Sequence, residues 1–159
     1  MQERYFRPPG AADEISFLAQ CTRCDICIEV CPANAIFRLP PAAGLAAGTP
    51  VLEPEKQPCT VCIDIPCAAA CPTEALVLPE QLWEGYTLAR LELIPETCIA
   101  FHGVECGVCV KKCPVGEAAI VADDQGRPII KQEGCVGCGV CVKECVTSPR
   151  SLKLHIVEH

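Results

Sequence analysis

The chain has 159 residues, of which 16 are Cys, against one Trp, two Tyr and four Phe. A hydrophobic fraction of 50% falls to about 40% once cysteine is set aside, so a core this poor in aromatics needs inserted metal or cross-links. The formal charge of −7 excludes a general attraction to nucleic-acid phosphate, and no apolar run approaches the roughly 18 residues needed to span a bilayer.

Residues Met1 to Pro9 contain neither an apolar signal core nor twin arginines, so the expected location is the cytoplasm, where reduced thiols argue against eight disulfides. The first cysteine motif is Cys21-x2-Cys24-x2-Cys27-x3-Cys31-Pro32, followed by an apolar run, Ala35 to Leu39, that predicts a short strand. Residues 40–50, with Pro54 and Pro58, form a Pro/Gly/Ala connection expected to be irregular. The second motif is Cys59-x2-Cys62-x4-Cys67-x3-Cys71-Pro72, with a strand expected at Ala75 to Leu78. Residues 79–97 predict a turn or short helix carrying Trp83 and Tyr86, then a strand over Leu88 to Ile94; Trp83 is read as filler of a thin core.

The third motif is Cys98-x7-Cys106-x2-Cys109-x3-Cys113-Pro114. Beyond it, Asp123-Asp124-Gln125-Gly126 separates the strand Ala119 to Ala122 from Pro128-Ile129-Ile130, which predicts a β-hairpin. The fourth motif, Cys135-x2-Cys138-x2-Cys141-x3-Cys145, lacks the terminal proline; Val146 takes that place and Pro149 follows, so a different local turn is expected. Ser151 to Val157 alternates as a last strand with one buried face. All sixteen cysteines are used in four groups of four.

Three thiolates in C-x2-C-x2-C wrap one loop around three irons of a cubane, while the cysteine after x3 reaches a neighbouring cluster. Zinc has no use for a third and fourth Cys so close by, and a secreted disulfide framework does not fit the fourfold repeat. The sixteen cysteines are therefore expected to hold four 4Fe-4S clusters as iron ligands, roughly sixteen iron and sixteen sulfide per chain. Gly107, Gly137 and Gly139 are expected to let the backbone approach the clusters. His102 is read as a loop residue rather than a ligand, and His155 and His159 carry no site signal. No glycine loop of the G-x-G-x-x-G type is present, and Asp123-Asp124 is read as a turn, so no catalytic residue is assigned.

From Arg7-Pro8-Pro9-Gly10 onward the chain resembles the four-cluster ferredoxin-type proteins associated with periplasmic nitrate reduction and methylamine utilisation. The resemblance rests on Cys21-Thr22-Arg23-Cys24, Ala47-Gly48-Thr49-Pro50, Asp64-Ile65-Pro66-Cys67 and the terminal Cys145-Val146 without proline. The second motif is also similar to that of electron-transfer subunits accompanying molybdenum and tungsten pterin oxidoreductases, including aldehyde oxidoreductases. The resemblance implies an α+β polyferredoxin of two pseudo-symmetric bacterial-ferredoxin-like modules of short hairpins and short helices. It implies nested connectivity: Cys21, Cys24, Cys27 with Cys145; Cys59, Cys62, Cys67 with Cys113; Cys98, Cys106, Cys109 with Cys71; and Cys135, Cys138, Cys141 with Cys31. The outer module would then span about 15–40 and 115–157, with an inner module inserted at about 51–114. A tandem arrangement, first motif with second and third with fourth, is the competing possibility.

The expected function is that of a non-catalytic subunit relaying single electrons between a catalytic oxidoreductase subunit and another redox subunit or carrier, flavin-bearing among the candidates. The alternative is a cluster-bearing assembly, maturation or redox-sensing factor. End-to-end self-association would extend such a relay. Neither a nucleic-acid partner nor a membrane span is expected.

Overall fold

The computed structural model describes residues 4–157; Met1 to Glu3, Glu158 and His159 lie outside them. Buried Pro8 and Pro9 stiffen the entering chain, and Ala11 forms an antiparallel bridge with Leu76. Helix α1, Glu14–Gln20, lies outside the expected elements. Asp13 caps it by accepting a hydrogen bond from the Ser16 amide at 3.1 Å. One turn in, Phe17 is completely buried, and the Arg7 guanidinium lies 4.5 Å from its ring centroid. Arg7 also donates to Glu14, to Thr49 Oγ1 and to the Pro50 carbonyl, so one buried cation ties the entering strand, α1 and the 40–50 connection together.

The remaining elements are short: α2 (Ile26–Glu29), β1 (Ile36–Arg38), β2 (Pro50–Leu52), α3 (Pro66–Ala69), β3 (Ala89–Leu93), α4 (Val108–Lys112), β4 (Ile120–Ala122), β5 (Pro128–Ile130), α5 (Val140–Glu144) and β6 (Leu152–Ile156). They make three antiparallel pairs, β1 with β2, β3 with β6, and β4 with β5. This is an α+β arrangement of short helices and strands. Asp123 builds the expected hairpin turn: its carboxylate accepts from the Gln125 and Arg127 amides and from Arg127 Nε, and these bonds, the Arg127 amide foremost, hold its pKa below the ordinary value.

Two expectations need local correction. Residues 40–50 are not wholly irregular, because Pro41–Ala46 winds as a 3-10 helix kinked at Gly44 and Pro50 already begins β2. Residues 75–78 form no strand; only Leu76 pairs, with Ala11.

The strand pairing does not follow the nested module plan. It closes within each half: the Ala11–Leu76 bridge and β1–β2 belong to the first, and β3–β6 and β4–β5 to the second. The buried side chains divide likewise, Ala11 through Leu88 in one cluster and Leu91 through Leu152 in another. A five-residue ladder between Ala89–Leu93 and Leu152–Ile156 brackets the third and fourth motifs.

The halves meet along the fourth motif. The Leu88 amide donates to the Val136 carbonyl at 2.7 Å, and Lys143 Nζ reaches Gln57. Gly137 and Gly139 both have positive φ, and a methyl group on either would collide, at 2.0 Å with the Ala89 carbonyl oxygen or at 2.4 Å with Pro54. Gly139 thus makes room for Pro54 of the first half and Gly137 for the Ala89 carbonyl within the second, while the Gly137 amide also bonds the Cys135 sulfur, as the sequence leads one to expect; Gly107 has open space around it.

Candidate metal centres

The cysteine loops share a backbone device. Left-handed residues recur just before the second cysteine and again before the short helix: Arg23 and Asp25 in the first motif, Val61 and Ile65 in the second, Gly137 and Gly139 in the fourth. Alternation of right- and left-handed residues turns successive N–H groups toward one point, a concavity suited to an anion. Amides do reach the sulfurs, from Val61 at Cys59, Gly137 at Cys135 and Val140 at Cys138. Left-handed geometry costs β-branched Val61 and Ile65 on the order of 1–3 kcal/mol each.

Each short helix carries the fourth cysteine of its motif away from the first three. Because α2 packs on α3 and α4 on α5, that cysteine is delivered to the neighbouring motif in the same half. One cavity is lined by Cys21, Cys24, Cys27 and Cys71. A second is lined by Cys31, Cys59, Cys62 and Cys67, and a third by Cys113, Cys135, Cys138 and Cys141. These linings differ from the nested pairing: Cys71, not Cys145, lines the cavity of the first motif; Cys31, not Cys113, that of the second; Cys113, not Cys31, that of the fourth. Cys109 has Cys106 and Cys98 as its neighbours. Cys145 is linked through Thr147 and Ser151 to Thr97, the residue before Cys98.

Burial sets the state of the bare thiols. It is the leading cause that pushes Cys27, Cys59 and Cys109 up to about 11 and Cys67 and Cys138 up to about 12. Cys135 and Cys141 are raised for the same reason, with neighbouring sulfurs adding to the effect. Cys145 moves the other way: burial raises it, but hydrogen bonds from Thr147 and Ser151 outweigh that and lower its pKa. Thiols so protonated must release protons when they ligate metal. Among the described residues no three His, Cys, Asp or Glu side chains close onto a single ion; the sulfurs instead surround cavities, as ligands of a multi-iron group do.

Several contacts had no counterpart in the sequence reading. Trp83 packs on the first core and donates its indole N–H to the Cys62 carbonyl at 2.7 Å, which fastens the second loop. Arg23 clamps its own loop to the 3-10 segment through the Ala47 and Leu45 carbonyls. Thr73 and Thr147, each two residues after the last cysteine of its motif, lie 3.6 Å and 3.2 Å from Cys71 and Cys145. Alignment of the motifs contained that signal, because the first and third carry Ala33 and Val115 instead. His102 donates to or accepts from no sulfur; its Nε2 meets the Glu96 carbonyl, the loop role expected of it. His155 pairs with Glu92 across the strands.

Comparison with known proteins agrees with this geometry. Residues 18–37 match the 4Fe-4S binding domain family. The ferredoxin-type protein NapG of Escherichia coli is 35% identical over 162 residues, covering 93% of this chain and 69% of its own length. The chain belongs to the NapG and MauM ferredoxin-type proteins. The methylamine utilization ferredoxin-type protein MauM of Paracoccus denitrificans is 35% identical over 142 residues, with 84% of this chain and 63% of its own length covered. The ferredoxin-type protein NapF of Escherichia coli is 36% identical over 110 residues, 67% of this chain and 58% of its own. The chain thus spans about two thirds of the length of these relatives. Like them it is a ferredoxin-type protein, with the cysteines for 4Fe-4S clusters. No helix among the described residues is long and apolar enough to cross a membrane.

Proposed function

We propose that the chain is an electron-transfer subunit with four 4Fe-4S clusters, held by Cys21, Cys24, Cys27 and Cys71; by Cys59, Cys62, Cys67 and Cys31; by Cys135, Cys138, Cys141 and Cys113; and by Cys98, Cys106, Cys109 and Cys145. Each bound cluster supplies a one-electron store that changes little in structure between its two states. The protein does the rest: it spaces the sets, buries Cys67, Cys98, Cys138 and Cys141 and aims amides at the added charge.

The observation that carries this reading is the contact order of the sets. Cys67 of the second motif feels Cys27 of the first; Cys59 of the second and Cys138 of the fourth are neighbours; Cys141 of the fourth feels Cys109 of the third. The sets therefore follow one another as first, second, fourth, third, with the first and third motifs at the ends. Such an order suits passage of single electrons between a catalytic oxidoreductase subunit, of the molybdenum or tungsten pterin class, at one end and another redox subunit or carrier at the other.

Holoprotein prepared without oxygen is expected to contain roughly sixteen iron. Cys71→Ser is expected to remove or convert the cluster of the first motif, as read by iron analysis and electron paramagnetic resonance; loss at the third motif instead would restore the nested pairing. In the complex with its catalytic subunit, Cys59→Ser is expected to stop electron passage from end to end while that subunit still reduces a dye. Undiminished passage would refute the relay.

A further inference from the structure

The turn after the fourth motif, where the Cys-Pro pattern fails, contains a chain of three hydroxyls. Thr147 Oγ1 lies 3.2 Å from Cys145 Sγ, Ser151 Oγ lies 2.7 Å from Thr147 Oγ1, and Thr97 Oγ1 lies 3.1 Å from Ser151 Oγ. The Ser151 amide adds a second donor to the same sulfur at 3.5 Å. Ser151 is only 2% exposed, and Thr97 directly precedes Cys98. The chain of hydroxyls therefore runs from Cys145 through buried Ser151 to half-buried Thr97 beside Cys98, both cysteines belonging to the proposed third-motif set.

Ligation fixes the direction of the first two bonds. An iron-bound thiolate has no proton, so Thr147 must donate to Cys145. With the Thr147 proton so committed, Ser151 must donate to Thr147, and Thr97 divides its one proton between Ser151 Oγ at 3.1 Å and the Ile94 carbonyl at 3.3 Å. Each donation polarises the next, and in a buried site the final bond to sulfur is stronger than an isolated hydroxyl would make. A donor at sulfur stabilises the more negative, reduced state, and so raises the potential.

The other three fourth-position cysteines are served less well. Cys71 has Thr73 at 3.6 Å with no hydroxyl behind it, and Cys31 receives the Ala35 amide at 3.3 Å. Cys113 is followed by Pro114 and Val115, which offer no hydroxyl at all. Elsewhere in the loops, exposed Thr60 is 3.8 Å from Cys62. The contrast is sharpest between the two sets of the second half, which are neighbours in the relay.

We propose that Thr147, backed by Ser151 and Thr97, is a positioning residue for electron transfer that holds the potential of the third-motif cluster above that of the adjacent fourth-motif cluster, so that electrons collect at this end of the chain. The inference rests on the ligand sets proposed above. Its test is a redox titration of the four-cluster holoprotein followed by electron paramagnetic resonance, with iron measured in each variant.

Thr147→Val, which keeps the shape and removes the hydroxyl, is expected to make one cluster about tenfold harder to reduce, about 59 mV for a one-electron couple, and to leave the other three unchanged. Thr147→Ser restores the original potential, and Ser151→Ala lowers the same one by less. Unchanged potentials in fully loaded Thr147→Val and Ser151→Ala overturn the proposal. So does a Thr147→Val protein that merely loses iron, or a Thr147→Ser protein that behaves like the valine variant, since either assigns the threonine to packing. Cys145→Ser separates this from the underlying reading: if it leaves all four signals intact, the ligand set is wrong, whereas if it alters the signal that Thr147→Val fails to move, only the hydroxyl inference falls.

Discussion

The two halves of the molecule hold two cysteine motifs each but are stabilised differently. The first buries a cluster of eleven side chains around Phe17 and Ile65, with Phe6, Trp83 and Tyr86 packed against it, yet its strand pairing amounts to three residue pairs and two isolated bridges. The second has longer strand pairing and a buried cluster of four, one of which is Cys141 itself. Apolar burial is worth about 25 cal/mol per Å², so the first half retains a driving force for folding that does not involve iron. Two-stranded ladders are marginal alone in water, and the second half leans on its cofactors.

The most severe way to break this contrast is to remove the clusters. Chelation without oxygen is expected to abolish hydrogen-exchange protection in β3, β6 and α5 while amides around α1 and Ile65 stay partly protected; uniform loss would show that the halves are equally dependent on metal. Phe17→Ala attacks the other side. It should cost about 3–5 kcal/mol in denaturant unfolding of the first half, as large aromatic truncations in cores do, while leaving the spectra of the third- and fourth-motif clusters unaltered.

A pH experiment sharpens the comparison further. In the metal-free chain the raised thiols of the first half remain protonated where unfolded cysteines have ionised. The folded state then binds more protons, and its stability, fully present below the ordinary thiol value of 9.0, falls as pH rises toward about 11 to 12. Alkaline unfolding of the apoprotein between those values, absent in the holoprotein, is the expected outcome in circular dichroism. The smallest effect expected is from Trp83→Phe, which removes the indole bond to the Cys62 carbonyl. It should cost about 1 kcal/mol and disturb the second-motif signal alone.

Much of the local structure was legible in the residues. The hairpin around Asp123 followed from its turn chemistry, and the alternation of Leu152 and Leu154 against Lys153 and His155 announced the last strand. What escaped was long-range. Nothing in Ala75 to Leu78 says that only Leu76 finds a partner, and nothing near Gly139 says that Pro54 will lie against it. Nothing around Thr147 says that Ser151 will come beside it, or that Thr97, fifty-four residues from Ser151, will stand behind that serine.

The chain's own order of residues determined the kind of group bound and the three clustered ligands of each site, because cysteines three apart in one loop are brought together by local backbone geometry whatever the rest of the protein does. Which remote cysteine completes each site, and which sites are neighbours, was decided only by the fold. Those outcomes depend on β3 closing with β6 and on α2 meeting α3 and α4 meeting α5, contacts between segments whose separation along the chain carries no record of their pairing.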